Sequence, residues 1–469
     1  MKLTLGAAPP IKLDRADYIG IIYLSLPVVL FFSLFTLYIV AIPATCFLLY
    51  CLSRLRPVSS EKSELKLLSV HAISAATIVL LSGSTGPLYV NGDWVKHYAI
   101  FNEIANHSVL AEPNYTLRYY IGFYILPAQI ERALGASNGI ILSLWIWLGL
   151  ITFFSQTSKL IKSPTLKYIS PLIFMAFSGA DVIGTYLTGF MRGNMYHFEW
   201  WAGWIEYSSP FTSIIWAPQS TLPAWIAMAY LMKRPHPEQQ IFVAPILLLA
   251  SLLWSPFATI GIVPFMLTAL ANPNFKRVAI NAPYLAGIMI LSILVFYYLT
   301  FDVGTIPRNW IWNSPCLAAV RGAPCATLSG YLRFVLLEVS VMAAISLMHK
   351  PTRNHMTYTA IAVLLLLPLT QVGANNDLAM NASRPAICAL VISLILSLEA
   401  ITMLRGCIIA LGLACGITTP GGEIYRGLTF KRLLSTDTDL TYFIENSPTH
   451  KDQYITTKNI WFLRRSSAL

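Results

Sequence analysis

Charge is scarce in this chain of 469 residues, because Asp, Glu, Lys and Arg together make up only 11% of it while hydrophobic residues make up 56%. Long apolar segments recur along the chain, and they can cross a bilayer whose hydrocarbon core is about 30 Å thick. These segments are continuously apolar rather than alternating, which excludes a transmembrane β-barrel. The composition therefore predicts an all-α, polytopic helical membrane protein.

Long soluble insertions, a cleavable signal peptide and internal repeats are also lacking. The first apolar run lies behind Lys12 and Arg15 and continues directly into a second one, unlike a signal peptide. The sequence predicts one transmembrane domain over residues 1–419 and a short polar tail over 420–469. The net charge of +11 does not indicate nucleic-acid binding, because most Lys and Arg residues fall in short loops.

Hydropathy predicts about thirteen transmembrane helices. The run 18–53 is long enough for a tight pair broken near Pro43, and Trp254-Ser255-Pro256 divides residues 241–270 into a hairpin of two short helices. Predicted cytoplasmic loops hold seventeen Lys and Arg residues and the external loops hold six, which places the N-terminus in the cytoplasm and the tail outside. The external loops are 85–118, 191–214, 301–330 and 371–384.

Cysteine is sparse as well, at seven residues, and the chain has no CxxC pair and no His cluster at ligand spacing. We therefore expect no structural or catalytic zinc. Five cysteines fall in apolar helices, where they act as small hydrophobes. Cys316 and Cys325 share the external loop 301–330, and we predict a disulfide between them because this loop faces an oxidising compartment.

The first external loop carries the densest set of reactive groups. If residues 92–104 form a helix, a rotation of about 100° per residue places four polar side chains on one face, namely Asp93, Lys96, His97 and Glu103. Two carboxylates and two potential cations would then share a short amphipathic helix at the membrane surface. Alternatively, Asn91 or Asp93 caps the helix and the other groups form its solvated face.

The second long external loop embeds His197, Glu199 and Glu206 in an aromatic run that contains Trp200, Trp201, Trp204 and Trp216. One interpretation is an interfacial aromatic belt. A belt does not require carboxylates and His in the same run, however, and Trp faces beside acidic groups are also how proteins hold sugar rings. The second interpretation is therefore a sugar-binding site.

The later external loops add amides and charges. The loop 371–384 contains Asn375, Asn376, Asp377, Asn381 and Arg384. Arg384 opens a helix, where its guanidinium either clamps a phosphate or snorkels to the membrane surface. Arg308 is a further candidate for anion binding, and Asp181 inside an apolar segment is either functional or a packing partner.

These groups suit transfer of a sugar from a membrane-anchored anionic donor to an acceptor outside the membrane. Asp93 would deprotonate the acceptor hydroxyl, while Lys96 and His97 would hold the donor phosphate without a metal. A transporter or a polymerase of lipid-linked saccharides is the alternative, favoured by the broken 241–270 hairpin and by Asp181. A scaffold role is a third possibility.

The order of helices and loops along the whole chain resembles the GT-C class of integral-membrane glycosyltransferases, and NGDWVKHY occupies the place of that class's first-loop acid. The blocks HFEWWAG and NDLAMNASRPA also resemble segments of uncharacterised bacterial multi-pass proteins. The GT-C resemblance implies an interfacial helix in the first external loop, a polyprenyl-phosphate sugar donor, an inverting reaction with Asp93 as base, and a glycan, lipid or protein acceptor at a bacterial inner membrane. Many members have an acidic pair where this chain has one Asp, so a divalent metal is neither required nor excluded.

Overall fold

The computed structural model describes residues 10–58, 65–84, 91–135, 139–189, 197–271, 281–304, 306, 308–313, 326–373, 376–400, 402–430, 438–446 and 451–466. Within these ranges the chain is predominantly helical, and its six short strands form three separate pairs. The five described cysteines are free thiols. Cys316 and Cys325 lie outside the described residues, so their disulfide stays a prediction.

The α-helices follow one another along the chain as α1 (Arg15–Phe35), α2 (Tyr38–Ser53), α3 (Leu65–Leu81), α4 (Asp93–Asn106), α5 (Ile125–Leu134), α6 (Ile140–Ser158), α7 (Pro164–Ala176), α8 (Asp181–Thr188), α9 (Pro210–Trp216), α10 (Pro218–Met232), α11 (Pro237–Trp254), α12 (Pro256–Leu270), α13 (Ala282–Thr300), α14 (Leu328–Phe334), α15 (Val341–Leu347), α16 (His355–Leu366), α17 (Asp377–Ala382), α18 (Arg384–Ser397), α19 (Met403–Gly416), α20 (Thr418–Thr429), α21 (Leu440–Glu445) and α22 (Lys451–Tyr454). The strands are β1 (Ile11–Leu13), β2 (Leu55–Pro57), β3 (Thr116–Leu117), β4 (Arg308–Trp310), β5 (Thr370–Val372) and β6 (Ile455–Thr456).

Among the described residues, eight helical stretches are long and apolar enough to cross a membrane: Arg15–Phe35, Ile140–Ser158, Pro164–Thr188, Pro237–Trp254, Ala282–Thr300, Leu328–Leu347, Asp377–Ser397 and Gly406–Thr429. Four shorter apolar helices accompany them, Tyr38–Ser53, Leu65–Leu81, Pro256–Leu270 and His355–Leu369. The predicted class, an all-α membrane protein, agrees with this architecture. The count of thirteen crossings stays a prediction.

Two helix breaks show what local sequence can and cannot determine. α11 ends at Trp254 because Pro256 has no N–H to continue it, and Ser255 caps α12 by accepting a hydrogen bond from a backbone N–H of its first turn. α11 and α12 pack against each other, as the predicted hairpin requires. The break in the first apolar run lies at Thr36–Leu37 instead, and Pro43 is accommodated inside α2, so the predicted break near Pro43 is wrong.

The centre of the bundle is α10, all 15 of whose residues are buried. It packs against α1, α6, α11, α12 and α18. Beside it, Tyr23 stacks on Trp145 with ring centroids 4.0 Å apart and lies 5.3 Å from Trp254. Aromatic contacts of this kind add stabilisation beyond the area that they bury. This packing fixes the position of the first residues of α10, which belong to the candidate site.

The two ends of α1 carry the two sets of loops that the charge pattern separates. At its first residues β1 pairs with β2, and Lys233 binds Asp14 and Asp17 at 2.7 Å each. At its last residues β3 pairs with β6, and Lys458 forms an ion pair with Asp302. Segments predicted to be cytoplasmic therefore meet at one end and segments predicted to be external meet at the other. Which end faces the cytoplasm stays a prediction.

The chain after residue 419 forms more than a polar tail. α20 continues to Thr429, past the predicted boundary, and buries Glu423 and Arg426. Further along, α21 packs against α4, β6 pairs with β3, and Phe462 is fully buried. The C-terminal segment therefore covers the end of the bundle that carries the first external loop.

Candidate functional site

The helix predicted over residues 92–104 is present as α4. Asn91 caps it, since its Oδ1 accepts a hydrogen bond from the backbone N–H of Asp93 at 3.0 Å. The carboxylate of Asp93 therefore does not cap the helix. Nor is α4 a solvated surface helix, because eight of its 14 residues, including Trp94 and Phe101, are buried. In the alternative interpretation of this stretch, the cap by Asn91 is therefore present, whereas the solvated face is wrong.

Side chains at the start of α4 form hydrogen bonds to the backbone where α9 ends and α10 begins. α10 begins with a proline, which has no N–H, and the last carbonyls of α9 need partners outside the helix. The carbonyl of Ile215 accepts hydrogen bonds from Asn91 Nδ2 at 2.9 Å and from Trp94 Nε1 at 3.0 Å. The carbonyl of Trp216 accepts one from His97 Nε2 at 3.0 Å. These bonds join the first and second external loops.

His97 positions α4 as a neutral side chain. It is 0% exposed, and its Nδ1 lies 2.6 Å from the hydroxyl of Tyr124. Because the Trp216 carbonyl can only accept, Nε2 carries the proton and Nδ1 accepts from Tyr124. Burial, and next the charge of Lys96, lower the pKa of His97 to about 3. The expectation that His97 is a second cation for phosphate is therefore wrong.

Glu103 belongs to a different part of the helix. It follows Asp93 by ten residues, which at about 1.5 Å per residue separates the two along the axis by about 15 Å. Its carboxylate accepts a hydrogen bond from Tyr115 at 2.7 Å and lies 3.1 Å from His107 Nδ1. The structure does not bring Glu103 to Asp93, so the predicted shared face reduces to Asp93 and Lys96.

Asp93 and Lys96 form an ion pair with 3.1 Å between Oδ2 and Nζ. The Asp93 side chain is 42% exposed and that of Lys96 is 15% exposed, so solvent reaches the carboxylate. Burial opposes ionisation of Asp93, but the charge of Lys96, with a smaller contribution from Arg384, holds its pKa below the usual value. The carboxylate is therefore ionised at neutral pH and able to accept a proton.

Arg384 reaches the same region from the first turn of α18. It is 2% exposed, and its Nη1 donates to the Ala217 carbonyl at 3.0 Å and to Thr221 Oγ1 at 3.1 Å. Its buried Nε has no acceptor, and no carboxylate in the described part of the chain forms an ion pair with it. Its charge acts instead on a nearby set of carboxylates, Asp93, Glu206 and Glu199. The alternative that Arg384 snorkels to the surface is wrong.

Two residues from late in the chain, Tyr454 and Asn376, lie near Asp93, Lys96 and Arg384. Tyr454 packs on Tyr119 with ring centroids 5.0 Å apart, and its hydroxyl interacts electrostatically with Lys96 and Asp377. Asn376 adopts a left-handed conformation with φ 55° just before α17, and its Oδ1 accepts a hydrogen bond from the Val372 N–H at 3.3 Å. The predicted residue Asn376 thus shapes the turn before α17, and Asp377 is the first residue of that helix, which leads to Arg384.

A second group gathers His197, Glu199 and Glu206, which each offer one atom within 4.8 Å of the others. Glu199 is 1% exposed and Glu206 is 6% exposed. Burial alone would lower the pKa of His197, but the hydrogen bonds and charges of Glu206 and Glu423 raise it to about 10. Burial, reinforced by the charge of Glu206, holds the pKa of Glu199 well above its usual range.

Two further residues of this group, Glu423 and Arg426, lie in the segment 420–469 that the sequence predicts to be a polar tail. Glu423 Oε1 lies 2.8 Å from His197 Nδ1, and Glu423 Oε2 accepts hydrogen bonds from Trp216 Nε1 at 3.2 Å and from Arg426. The guanidinium of Arg426 also lies 5.1 Å from the centre of the Trp216 ring. Both side chains are buried on α20. No local motif marked them, because their role depends on where α20 packs.

The tryptophans of the second external loop are packing residues. Trp200 and Trp201 are each 2% exposed. Trp201 Nε1 donates to Glu338 at 2.8 Å, and its ring lies so close to Gly184 that a Cβ there would come within 2.3 Å. These rings offer no open face for a sugar and form no surface belt. Both interpretations of Trp200 and Trp201 are therefore wrong.

Asp181 is a buried network residue in an apolar segment. Its Oδ2 accepts hydrogen bonds from Ser178 at 2.5 Å and from Thr419 at 2.7 Å. Its Oδ1 and Glu338 Oε2 accept no hydrogen bond from any other described group, and the two carboxyl groups lie within hydrogen-bond reach of each other. Arg308, by contrast, is exposed on β4, which pairs with β5. The structure does not place Arg308 among the main charges that act on Asp93 or Arg384.

Comparison of the chain with protein-family models, with curated proteins and with solved structures finds no match. Functional inference therefore depends on the geometry of Asp93, Lys96, Arg384 and the neighbouring His–Glu group.

Proposed function

We propose that this membrane protein transfers a sugar from a polyprenyl-phosphate donor to an acceptor in the external cell envelope, a glycan, a lipid or a protein. The reaction would take place at Asp93, Lys96 and Arg384, at the end of the bundle predicted to face outward from a bacterial inner membrane. The topological resemblance to GT-C glycosyltransferases supports the same reaction class.

The observation that carries the proposal is the buried guanidinium of Arg384, which forms no ion pair with any carboxylate in the described part of the chain. Burying a cation without an anion is costly, and here Nε has no acceptor at all. A guanidinium presents several N–H donors in a planar fork that fits a phosphate. Lys96 supplies a second cation near the same carboxylate. An anionic ligand between these two cations would provide the missing counter-charge.

The chemistry follows from these positions. Asp93 accepts the proton of the acceptor hydroxyl, whose oxygen forms a bond to the anomeric carbon of the donor sugar. The bond from that carbon to the phosphate oxygen breaks, and the polyprenyl phosphate leaves with the electron pair. Lys96 and Arg384 stabilise the charge that develops on this phosphate. Attack opposite the leaving group inverts the anomeric centre.

A transporter of lipid-linked saccharides is the second candidate, supported by Asp181 and Glu338. Both carboxyl groups are buried in segments long and apolar enough to span a membrane, and they lie within hydrogen-bond reach of each other, so the pair can share a proton. Intramembrane acids of this kind are common in proton-coupled transport. Movement of labelled substrate across liposomes without cleavage of the sugar–phosphate bond would favour this candidate over transfer.

The proposal is tested with purified protein, radiolabelled polyprenyl-phosphate sugars and an envelope extract as the source of acceptors. The wild type should release free polyprenyl phosphate and label an acceptor. Charged hydrogen bonds are worth about 1.5–3 kcal/mol, so Arg384→Gln should weaken donor binding roughly 10- to 150-fold. Arg333→Gln is the matched control, because Arg333 is exposed on α14. No release by the wild type, or equal donor binding by Arg384→Gln, would contradict the proposal.

A further inference from the structure

The His–Glu group has the geometry of a metal site. We propose that His197, Glu199 and Glu206 bind one divalent transition-metal cation through the imidazole Nε2 and one carboxylate oxygen from each glutamate. The three ligand atoms already lie within 4.8 Å of one another. The sequence shows only a short His–X–Glu segment, and folding adds Glu206 to it. This inference does not depend on the proposed transfer reaction.

Each ligand is held by a partner on its other side, as metal ligands commonly are. The Nδ1 of His197 lies 2.8 Å from Glu423, which leaves Nε2 facing Glu206 Oε2 at 3.6 Å. Glu199 Oε1 accepts a hydrogen bond from the Ser209 N–H at 2.7 Å. Glu206 Oε1 accepts one from Ser208 Oγ, also at 2.7 Å. The remaining atoms are Nε2 and one Oε2 from each glutamate.

An oxygen that accepts no hydrogen bond also supports the proposal. Glu199 is 1% exposed, and its Oε2 has no hydrogen-bond partner. Leaving such an acceptor unsatisfied in the interior costs about 1–3 kcal/mol, and more when it is charged. Arg426 is engaged by Glu423, and no described Lys or Arg forms an ion pair with Glu199 or Glu206, so the counter-charge of Glu206 is the imidazole of His197. A divalent cation would satisfy the free oxygen of Glu199 and replace the imidazolium as the counter-charge of Glu206, and the protons held by His197 Nε2 and Glu199 would be released to solvent.

The donor set indicates the class of metal. One imidazole nitrogen with two carboxylate oxygens suits Zn²⁺, Fe²⁺ or Mn²⁺, whereas Mg²⁺ and Ca²⁺ favour sites made only of oxygen. By the general affinity order of divalent metals, Zn²⁺ should bind more tightly than Mn²⁺. A proton shared between Glu199 and Glu206 is the competing account of their closeness, and it predicts no bound metal.

The test uses the full chain, stripped with a chelator and dialysed against Zn²⁺, Mn²⁺ or Mg²⁺, with bound metal measured by mass spectrometry and Mn²⁺ also by electron paramagnetic resonance. The wild type should bind one equivalent of Zn²⁺ or Mn²⁺ and much less Mg²⁺. Glu199→Gln keeps the size of the side chain and should lose most of the binding. Glu103→Gln is the matched control, since Glu103 is another buried glutamate of an external loop.

A second variant guards against misfolding of the first. Ser208→Ala removes only the hydroxyl that orients Glu206, and it should weaken metal affinity by about 10-fold or more while the thermal unfolding temperature without metal stays near that of the wild type. Absence of stoichiometric binding by the wild type would overturn the proposal and favour the shared proton. Equal binding by wild type, Glu199→Gln and Ser208→Ala would also overturn it, and neither result bears on sugar transfer.

Discussion

Replacing Asp93 by Asn tests the proposed base with little disturbance of the fold. The helix keeps its cap, because Asn91 accepts its hydrogen bond from the backbone N–H of residue 93 and not from the side chain. The variant loses the ion pair between Asp93 and Lys96, in which the Asp93 side chain is 42% exposed. Pairs as exposed as this contribute about 0–1 kcal/mol, and a first-turn carboxylate adds about 0.3–1 kcal/mol through the helix dipole. Folding should therefore survive.

The effect on rate should be far larger than the effect on stability. A positioned general base contributes about 10²–10⁴-fold, which corresponds to about 3–5 kcal/mol of the activation barrier. Asn cannot accept the proton of the acceptor hydroxyl, but its amide can still occupy the same space beside Lys96. Asp93→Asn should therefore lower the transfer rate by about that factor, while binding of the donor, which depends on Lys96 and Arg384, changes little.

The assay measures transfer and donor binding on the same purified preparation. Asp302→Asn is the control, because it makes the same chemical change at a carboxylate on the same end of the bundle, and its rate should match that of the wild type. Activity of Asp93→Asn within about threefold of wild type would remove Asp93 as the base, since a base contributes much more. The remaining carboxylates, Glu199, Glu206 and Asp377, would then be the candidates.

Other outcomes concern stability and orientation. Between about pH 3 and pH 6.5 the unfolded chain binds a proton at His97 that the folded protein excludes. The free energy of unfolding of the wild type should therefore rise with pH in this range, by up to about 1.4 kcal/mol per pH unit. In thermal unfolding experiments His97→Gln should flatten that rise, and parallel curves for the two proteins would contradict this. Phe462→Ala should lower the free energy of unfolding by about 3–5 kcal/mol, because the side chain is fully buried. Trp461→Ala is the control, and it should lower the free energy of unfolding only slightly, because the Trp461 side chain is 57% exposed. Equal losses would contradict the docked C-terminal segment. Cysteine at Lys458 should react with an impermeant maleimide in intact cells and cysteine at Lys162 should not, and the opposite result would reverse the predicted orientation.

Properties set by local composition could be predicted from the sequence. Apolar length located the long helices, and the Ser255-Pro256 pair marked the break between α11 and α12 because a cap and a missing N–H act on adjacent residues. The polar period of residues 92–104 predicted α4. The distribution of Lys and Arg grouped the loops into two sets, and the structure brings the members of each set together at one end of the bundle.

Properties set by distant contacts could not. The first helix pair breaks at Thr36–Leu37 because the C-terminal segment bonds there, with the Leu37 N–H donating to the Phe462 carbonyl at 2.8 Å, and no residue near Thr36 announces that contact. Periodicity placed His97 on the correct face of α4 but could not show that the face is buried. The sequence therefore predicted a cation at His97, whereas burial of the side chain lowers its pKa.

In α20, too, contacts with distant helices determine a structure that the local sequence does not predict. Thr418-Thr419-Pro420-Gly421-Gly422 reads as the end of a helix, because Pro and Gly are poor helix formers. The proline falls within the first turn of α20, however, where its missing N–H costs nothing. Packing against α8, α9 and α19 then carries the helix on to Glu423 and Arg426. Local propensity misassigned two residues of the site because tertiary contacts outweigh it.

Each half of the site holds a buried side chain with one atom that has no hydrogen-bond partner among the described residues, Nε of Arg384 and Oε2 of Glu199. Arg384 is tied to the Ala217 carbonyl and Thr221, and Glu199 is tied to the Ser209 N–H, and within the described part of the chain no ion pair joins the two. A protein that needed these groups only for stability would do better with the direct pair or with apolar side chains. An anion at Arg384 and a cation at Glu199 would each satisfy one of these atoms, and because the two proposals rest on different residues, each can fail without the other.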